Sequence, residues 1–224
     1  MCGIYSFSSV PTNGFSNDEL FLTITMAWLT ASRGNDSSGI CMIDNSLATK
    51  TQKVVGGPGT LFNKADWEAI FRPFLFKDGL AVIGHGRAAT RGMVTSKNAH
   101  PFIVDRKDGS YITLVHNGTL EYQQPFDGMN EHDVDSAWLA EVLAKEGAKE
   151  VLPRVNGALA LIWWDSQDGT VNFFRNNQRP LSVAIGKGAY YVASEGGFLA
   201  LTKHRHNLSY EYDDILEFTP MVHC

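Results

Sequence analysis

Met1-Cys2-Gly3 opens the chain, and the reading of these three residues decides the rest. Removal of Met1 is expected before a residue as small as cysteine. The chain would then begin at Cys2, and one residue would carry both a thiol and a free α-amine. A free α-amine titrates at about 7.7–8.0 and a free thiol at about 8.5, so near neutral pH the amine is partly unprotonated. It can take the proton of its own thiol, directly or through a water. That is the arrangement of an N-terminal nucleophile, the cysteine counterpart of a threonine activated by its own amine. On its own, a cysteine at position two is also an ordinary small buried residue. The motifs further along the chain decide between the two.

Gly3-Ile4-Tyr5-Ser6-Phe7 reads as a short strand starting at the nucleophile. Ser16 with Glu19 three residues on is a capping box. Leu20, Phe21, Ile24, Trp28 and Ala31 come next at helical spacing and form the expected buried face. That helix should end near Arg33-Gly34, with Gly34 as a left-handed cap. Arg33-Gly34-Asn35-Asp36-Ser37-Ser38-Gly39 is a polar, turn-rich link. Ile40-Cys41-Met42-Ile43 reads as a buried strand, which puts Cys41 in the core. A strand near Lys53-Val54-Val55 leads to a turn at Gly56-Gly57-Pro58-Gly59. Trp67, Ile70, Phe71 and Phe74 suit a short amphipathic helix.

Leu80-Ala81-Val82-Ile83-Gly84 is a continuous apolar strand that delivers His85-Gly86-Arg87-Ala88-Ala89-Thr90-Arg91-Gly92. A long polar loop ends at Asn98-Ala99-His100-Pro101. Ile112-Thr113-Leu114-Val115 is a second apolar strand, delivering His116-Asn117-Gly118. Two apolar strands that each end in a polar, glycine-containing turn are a common way to build a site on sheet edges. After a loop from Gly128 to Asp133, Asp135 can cap a helix with Trp138, Leu139, Val142 and Leu143 on its apolar face. From Ala158 onward the pattern is strands and turns: 159–164, 171–174, 181–185, 190–193, near Tyr210, and 215–218. Asp165-Ser166-Gln167-Asp168-Gly169 and Gly186-Lys187-Gly188 are the expected hairpin turns. Many strands and few helices without strict βαβ alternation predict an α+β fold with largely antiparallel sheets.

The chain has 224 residues and a formal net charge of −5. That length builds one large domain, and no linker divides it, so 1–224 reads as a single domain. With no basic run, nucleic acid is a poor partner. No apolar run is long enough to span a bilayer, and Asp18 and Glu19 break any signal-like start, so a cytoplasmic protein with no membrane contact is expected. Cys2, Cys41 and Cys224 are odd in number and widely spaced, which is no disulfide framework. A reducing cytosol suits a working thiol. His204-x-His206 is the nearest approach to metal spacing, but no cysteine or carboxylate ligand joins it. It reads as an exposed polar pair, and neither metal nor cofactor is expected.

Four motifs now stand in order: Cys2-Gly3-Ile4, the run 33–39, the run 85–92 with Asn98-Ala99-His100-Pro101, and His116-Asn117-Gly118. Together they resemble the glutaminase domain of the class II glutamine amidotransferases, the kind found in glucosamine-phosphate synthase and amidophosphoribosyltransferase. The resemblance runs from Cys2 to about Phe218. Any one motif is weak, and their order behind a second-position cysteine is what is specific. The resemblance implies the four-layer αββα sandwich of the N-terminal-nucleophile hydrolases and hydrolysis of L-glutamine to L-glutamate and ammonia. It implies Cys2 as nucleophile, with Asn117 (side-chain amide) and Gly118 (backbone N–H) as the oxyanion hole. Arg87 would hold the substrate α-carboxylate with Thr90 beside it, and an aspartate before the late helix the α-amine. Arg33 and Gly34 match the turn that places the nucleophile. The chain stops soon after Phe218, leaving no room for the family's usual synthase domain, so a separate acceptor-activating protein is expected as partner.

The chemistry also stands without the name. Attack on an amide needs a thiolate, donors for the developing oxyanion, and a proton for the leaving nitrogen. Cys2 supplies the first, and Asn117 and Gly118 can supply the second, at about 3–4 kcal/mol per donor. The α-amine can pass the thiol proton to ammonia. Arg87 can grip a carboxylate with two parallel bonds, and Asp135 can pair with an ammonium.

Plainer readings stand beside these. Asn117-Gly118 is also a standard type I′ hairpin turn. Arg87 also fits a structural ion pair, and Asp135 a helix cap alone. His85, His100 and His116 read as structural histidines, because the mechanism already has its base. Asp133 competes with Asp135 for the amine, and helix phase favours Asp135. Ala88 and Arg91 depart from the family, which usually has a bulky residue and often histidine there; both sit in the loop expected to close over glutamine. They keep a second reading open, an N-terminal-nucleophile hydrolase of another γ-glutamyl or small amide. A third is a binding or regulatory subunit without activity, which the intact set Cys2, Arg87, Asn117 and Gly118 opposes.

Overall fold

The computed structural model describes residues 1–9, 14–121, 128–186, 188–206 and 215–217. The strand expected near Tyr210, the end at Phe218, Lys187 of the second turn and Cys224 lie outside the described residues. The chain begins with β1 (Gly3–Ser9), α1 (Asn17–Ala31), β2 (Ser37–Asp44) and β3 (Thr49–Val55). A helical stretch comes next: α2 (Pro58–Leu61), α3 (Lys64–Asp66), a π-helical turn (Trp67–Phe71) and α4 (Arg72–Asp78). Then come β4 (Gly79–Arg87), β5 (Phe102–Asp105), β6 (Tyr111–Leu120), α5 (Asp135–Glu146) and α6 (Ala148–Val151). The last elements are β7 (Gly157–Asp165), β8 (Thr170–Arg175), β9 (Ser182–Gly186), β10 (Ala189–Ala193), α7 (Gly196–His206) and β11 (Ile215–Glu217).

The strands form a seven-stranded sheet, β11-β9-β10-β1-β4-β2-β3, and a four-stranded sheet, β5-β6-β7-β8. Every pairing among them is antiparallel. Side chains alternate across a strand with a period of two, so each sheet has two faces to cover. In the larger sheet Tyr5, Phe7, Ile40 and Met42 face Leu22 and Met26 of α1, Leu75 of α4 and Leu199 of α7. Their neighbours Ile4, Cys41, Ile43 and Ile83 face the other way and meet Val115, Ala160, Ile162 and Trp164 of the smaller sheet. The outer face of the smaller sheet, with Leu114, Leu159 and Leu161, packs on Trp138, Leu139 and Leu143 of α5. The result is an α+β sandwich of four layers, αββα, as the resemblance implied.

The capping box forms as read: Ser16 Oγ accepts the Glu19 N–H and the Glu19 carboxylate accepts the Ser16 N–H. The buried face of α1 does not. Phe21 and Trp28 are 60% and 56% exposed, and the buried stripe is Leu20, Leu22, Thr23, Met26, Ala27 and Thr30. Apolar residues surround this helix, so helical spacing fits two faces. The face that wins carries hydroxyls satisfied on its own backbone, Thr23 on the Glu19 carbonyl and Thr30 on that of Met26. It is also the narrow one: a Cβ on Gly3 would stand 2.5 Å from Thr30 Cγ2.

Gly34 is not a left-handed cap. The helix ends at Ala31, capped by a right-handed Ser32. Gly34 is needed for approach instead, since a Cβ there would lie 2.3 Å from the Ala88 nitrogen. Ile70 is 38% exposed while Phe71 and Leu75 take the buried side, and Pro58–Leu61 forms α2 rather than a simple turn. Helix α7 falls between the strands expected at 190–193 and near Tyr210, in a stretch where no helix was expected. Its pattern is weak because it opens on two glycines, buries Leu199 and Thr202, and leaves Leu201 exposed. His204 is exposed on it, as read. Strands β4 and β6 run further than expected, so Arg87, Asn117 and Gly118 lie within strands. Asn117-Gly118 is therefore not a hairpin turn. Gly118 faces Leu159 across the ladder, and only a glycine fits there, because a Cβ would meet the Ala158 carbonyl at 1.7 Å.

Three histidines are buried, His85 and His100 against each other and His116 on the face of the smaller sheet that meets α5. The rings of His85 and His100 stack at 3.9 Å, and neither nitrogen of His100 has a partner among the described residues. Burial holds His85 down to about 3, His100 well below its usual value and His116 below it too. A base whose folded pKa is depressed adds stability above its unfolded value, about 6.5, and loses it as pH falls. Urea unfolding between pH 7.5 and 4.5 should therefore show stability falling below pH 6.5, by up to about 1.4 kcal/mol per pH unit per histidine. His100→Phe, which keeps the ring stack and removes one titrating group, should make that fall shallower.

Candidate active site

Strand β1 lies between β10 and β4, with Gly3 opposite Gly86. This puts Cys2 at the strand's mouth, half-buried, with its Sγ donating to the Ala88 carbonyl at 3.4 Å. Arg33 Nε donates to the Cys2 carbonyl at 2.8 Å, and the same guanidinium is ion-paired to Glu195. Gly34 packs against the peptide of Arg87 and Ala88. Arg33 thus holds the Cys2 main chain by a hydrogen bond, and Gly34 lies against the segment whose Ala88 carbonyl meets the thiol. Met1 is 68% exposed.

The charges of Arg87 and Asp135 both reach the Cys2 thiol. Burial pushes the Cys2 thiol up, the charge of Arg87 opposes this, and the Asp135 carboxylate adds to it. Arg87 ends β4, is 4% exposed, and donates from its two terminal nitrogens to the carbonyls of Met93 and Arg91. These bonds, with Asn98 Nδ2 on the same Met93 carbonyl, tie down the loop after β4. Five N–H donors leave the fork with capacity to spare. Thr90 lies exposed in that loop.

The two aspartates separate. Asp135 is 7% exposed; its carboxylate accepts the Leu120 N–H at 2.8 Å and the Ser136 N–H at 2.9 Å. It is the first residue of α5, and Val134 holds the cap position, so the capping role is not the one expected. The side chain of Asp133 is 57% exposed and 4.0 Å from Lys97 Nζ.

Asn117 is 1% exposed, and its Nδ2 is buried with no hydrogen-bond partner among the described residues. A buried donor left unpaired costs about 1–3 kcal/mol, so the position asks for an acceptor from outside. Gly118 pairs with Leu159, whose own N–H and carbonyl are both taken by Asn176. The main-chain groups of Gly118 therefore point away from β7, toward the side where β5 pairs only as far as Phe102. His116 braces this segment. Its Nε2 bonds the Ala158 carbonyl at 3.2 Å, so that nitrogen carries the proton, and Nδ1 accepts from the Ser136 hydroxyl at 2.9 Å.

Sequence reasoning passed over two groups. The Ala88 carbonyl meets the thiol, which a side-chain reading cannot see. Asp36 accepts the Ala89 N–H at 2.8 Å and donates its own N–H to the Arg87 carbonyl at 2.9 Å, fixing the Ala88 peptide from both ends. Its signal was its place in the run 33–39. A cleft of about 1100 Å³ between β5 and α5, lined among others by Ile103, Trp138 and Glu141, involves none of the site residues. Among the described residues no group of three histidines, cysteines or carboxylates could hold a metal, and no helix is long and apolar enough to cross a membrane.

Residues 85–200 match the family model described as a glutamine amidotransferase domain, just over half of the chain. Glutamine–fructose-6-phosphate aminotransferase of Lactococcus lactis is 31% identical over 179 residues, covering 73% of this chain and 28% of that one. The enzyme of the same name from Photorhabdus laumondii is 31% identical over 204 residues, covering 84% and 31%. The chain thus spans roughly a third of the length of these curated relatives. An allosteric regulatory enzyme of purine biosynthesis superposes with a TM-score of 0.70 at 23% identity, covering 98% of this chain and 45% of that one. Bacillus subtilis glutamine phosphoribosylpyrophosphate amidotransferase does so at 0.63 and 22%, covering 98% and 46%. With its motifs in order on this four-layer fold, the chain belongs to the class II glutamine amidotransferase domain family.

Proposed function

We propose that residues 1–224 form one glutaminase domain that hydrolyses the side-chain amide of L-glutamine to L-glutamate and ammonia through a Cys2 thioester. The observation that carries this reading is the buried, unpartnered Asn117 Nδ2 in a site where the charges of Arg87 and Asp135 both act on the Cys2 thiol. Once Met1 is removed, the α-amine of Cys2 takes the thiol proton. The thiolate attacks the amide carbon, and the oxyanion is received by Asn117 Nδ2 and the Gly118 N–H. The tetrahedral intermediate expels nitrogen, protonated by the same amine, as ammonia. Water then attacks the thioester, and glutamate leaves with the thiol restored.

Arg87 binds the α-carboxylate through N–H groups its loop bonds leave over, with Thr90 beside it, and Asp135 binds the α-ammonium. Arg33 and Gly34 hold the nucleophile in place. No cofactor takes part. Ammonia released into water is lost, so a separate synthase or acceptor-binding protein is the partner, and a reducing cytoplasm is the compartment that keeps Cys2 free. A second reading, another γ-glutamyl amide as substrate, is favoured by one feature: Ala88, whose carbonyl meets the thiol, brings only a methyl group to the leaving-group side.

Processing is tested by pairing mass spectrometry with ammonia release. A homogeneous sample that keeps Met1 should be nearly inactive, and full activity in it would sink the amine mechanism. Asn117→Ala should lower kcat about 10²–10³-fold with little change in KM, since its bond strengthens in the transition state. On a Cys2→Ala background, calorimetry should show Asp135→Asn losing glutamine binding and Asp133→Asn keeping it. The reverse result would move the amine site to Asp133.

A further inference from the structure

An N-terminal nucleophile faces a mechanical problem. Chain termini fray unless something ties them down, yet a displacement of about 1 Å at the reacting atom costs on the order of 100-fold in rate. Cys2 stands one residue outside its strand. On the β4 side the ladder reaches Gly3, opposite Gly86, and α1 closes the underside through Thr30. On the β10 side the regular rungs stop earlier, at Tyr5 opposite Ala193.

Two consecutive residues take over there. Ser194 is fully buried; its N–H donates to the Ile4 carbonyl at 3.0 Å, and its Oγ accepts the Ile4 N–H at 2.9 Å. A hydroxyl thus stands in for the main-chain carbonyl that a continuing strand would offer. The backbone is released to turn into α7, and the next side chain, Glu195, turns to the Arg33 guanidinium. Arg33 in turn holds the Cys2 carbonyl at 2.8 Å. The Arg33 side chain is only 9% exposed, and N–H donors that buried need an acceptor, which Glu195 supplies.

We propose that Ser194 and Glu195 are positioning residues that clamp the main chain at Ile4 and, through Arg33, at Cys2, fixing where the thiol points. This rests on the glutaminase reading, and the test separates the two. Ser194→Ala, Glu195→Ala, Glu195→Gln, Arg33→Ala and the double variant Arg33→Ala with Glu195→Ala are made in the Met1-processed chain. Steady-state ammonia release from glutamine is measured beside the rate at which iodoacetamide alkylates Cys2, read out by peptide mass spectrometry.

Ser194→Ala and Glu195→Ala should each lower kcat about ten- to hundred-fold with KM within about twofold. Both should also change the Cys2 alkylation rate. Glu195→Gln keeps the length and an acceptor oxygen for Arg33 and should recover most of both. The double variant should be no worse than Arg33→Ala alone, because the two residues act in one chain of contacts. Should Ser194→Ala fail to fold, the half-exposed Glu195 decides through its alanine and glutamine variants. An unchanged alkylation rate in Glu195→Ala, a loss confined to KM, or additive losses in the double variant would overturn the clamp. If the unsubstituted chain releases no ammonia but the alkylation rate still changes in Glu195→Ala and returns in Glu195→Gln, the glutaminase reading fails and the clamp stands.

Discussion

Beneath the nucleophile, backbone has to touch backbone. Three glycines make this possible. Gly3 rests against Thr30, Gly34 against the peptide of Arg87 and Ala88, and Gly86 against the Gly34 carbonyl, each with room for no Cβ. Strand β1, the link after α1 and the end of β4 are therefore locked at one height. The Ala88 carbonyl reaches the Cys2 thiol because Gly34 allows the link to lie flat on it and Asp36 bonds the peptides on either side. A methyl group at any of the three would push the thiol away from its neighbours before it disturbed the hydrophobic core.

The two sheets then divide the work. The larger carries Arg87 on β4 and Cys2 one residue ahead of the adjacent, antiparallel β1. The smaller carries Asn117 and Gly118, and ties Asp135 to the end of β6 through the Leu120 amide. Because the sheets pack through Ile4, Ile83, Val115 and Ala160, the relative height of these groups is set by apolar side chains that close-pack and resist displacement. The unpaired amide of Asn117 is an exception to the rule that buried donors find acceptors. It is held in place by a strand whose own hydrogen bonds leave it no freedom to turn away.

The order of the motifs, the capping box and the apolar strands were legible because each is a local pattern. The face of α1 was not legible, since Phe21 and Trp28 are as apolar as Leu22 and Met26, and the choice depends on how closely Gly3 approaches Thr30. Gly34 misled for a related reason: glycine serves both positive φ and close contact, and the sequence does not say which. Asn117-Gly118 has the composition of a turn but lies in a strand, because its ladder partners on β7 come some forty residues later. That a helix begins at Asp135 was readable from its apolar spacing. The clamp from Ser194 and Glu195 was not, since nothing near the N-terminus announces a partner at the far end of the chain.

That separation has a consequence for how the protein is made. β1 leaves the ribosome long before β10, yet it sits between β4 and β10, and the bonds that seat Ile4 come from Ser194. Contacts so distant in sequence form late and slowly. β1 must wait for β10 before its ladder is complete. Until β10 has been synthesised, Cys2 is a thiol on an unfinished sheet edge, so a nascent or truncated chain carries the nucleophile without its surroundings.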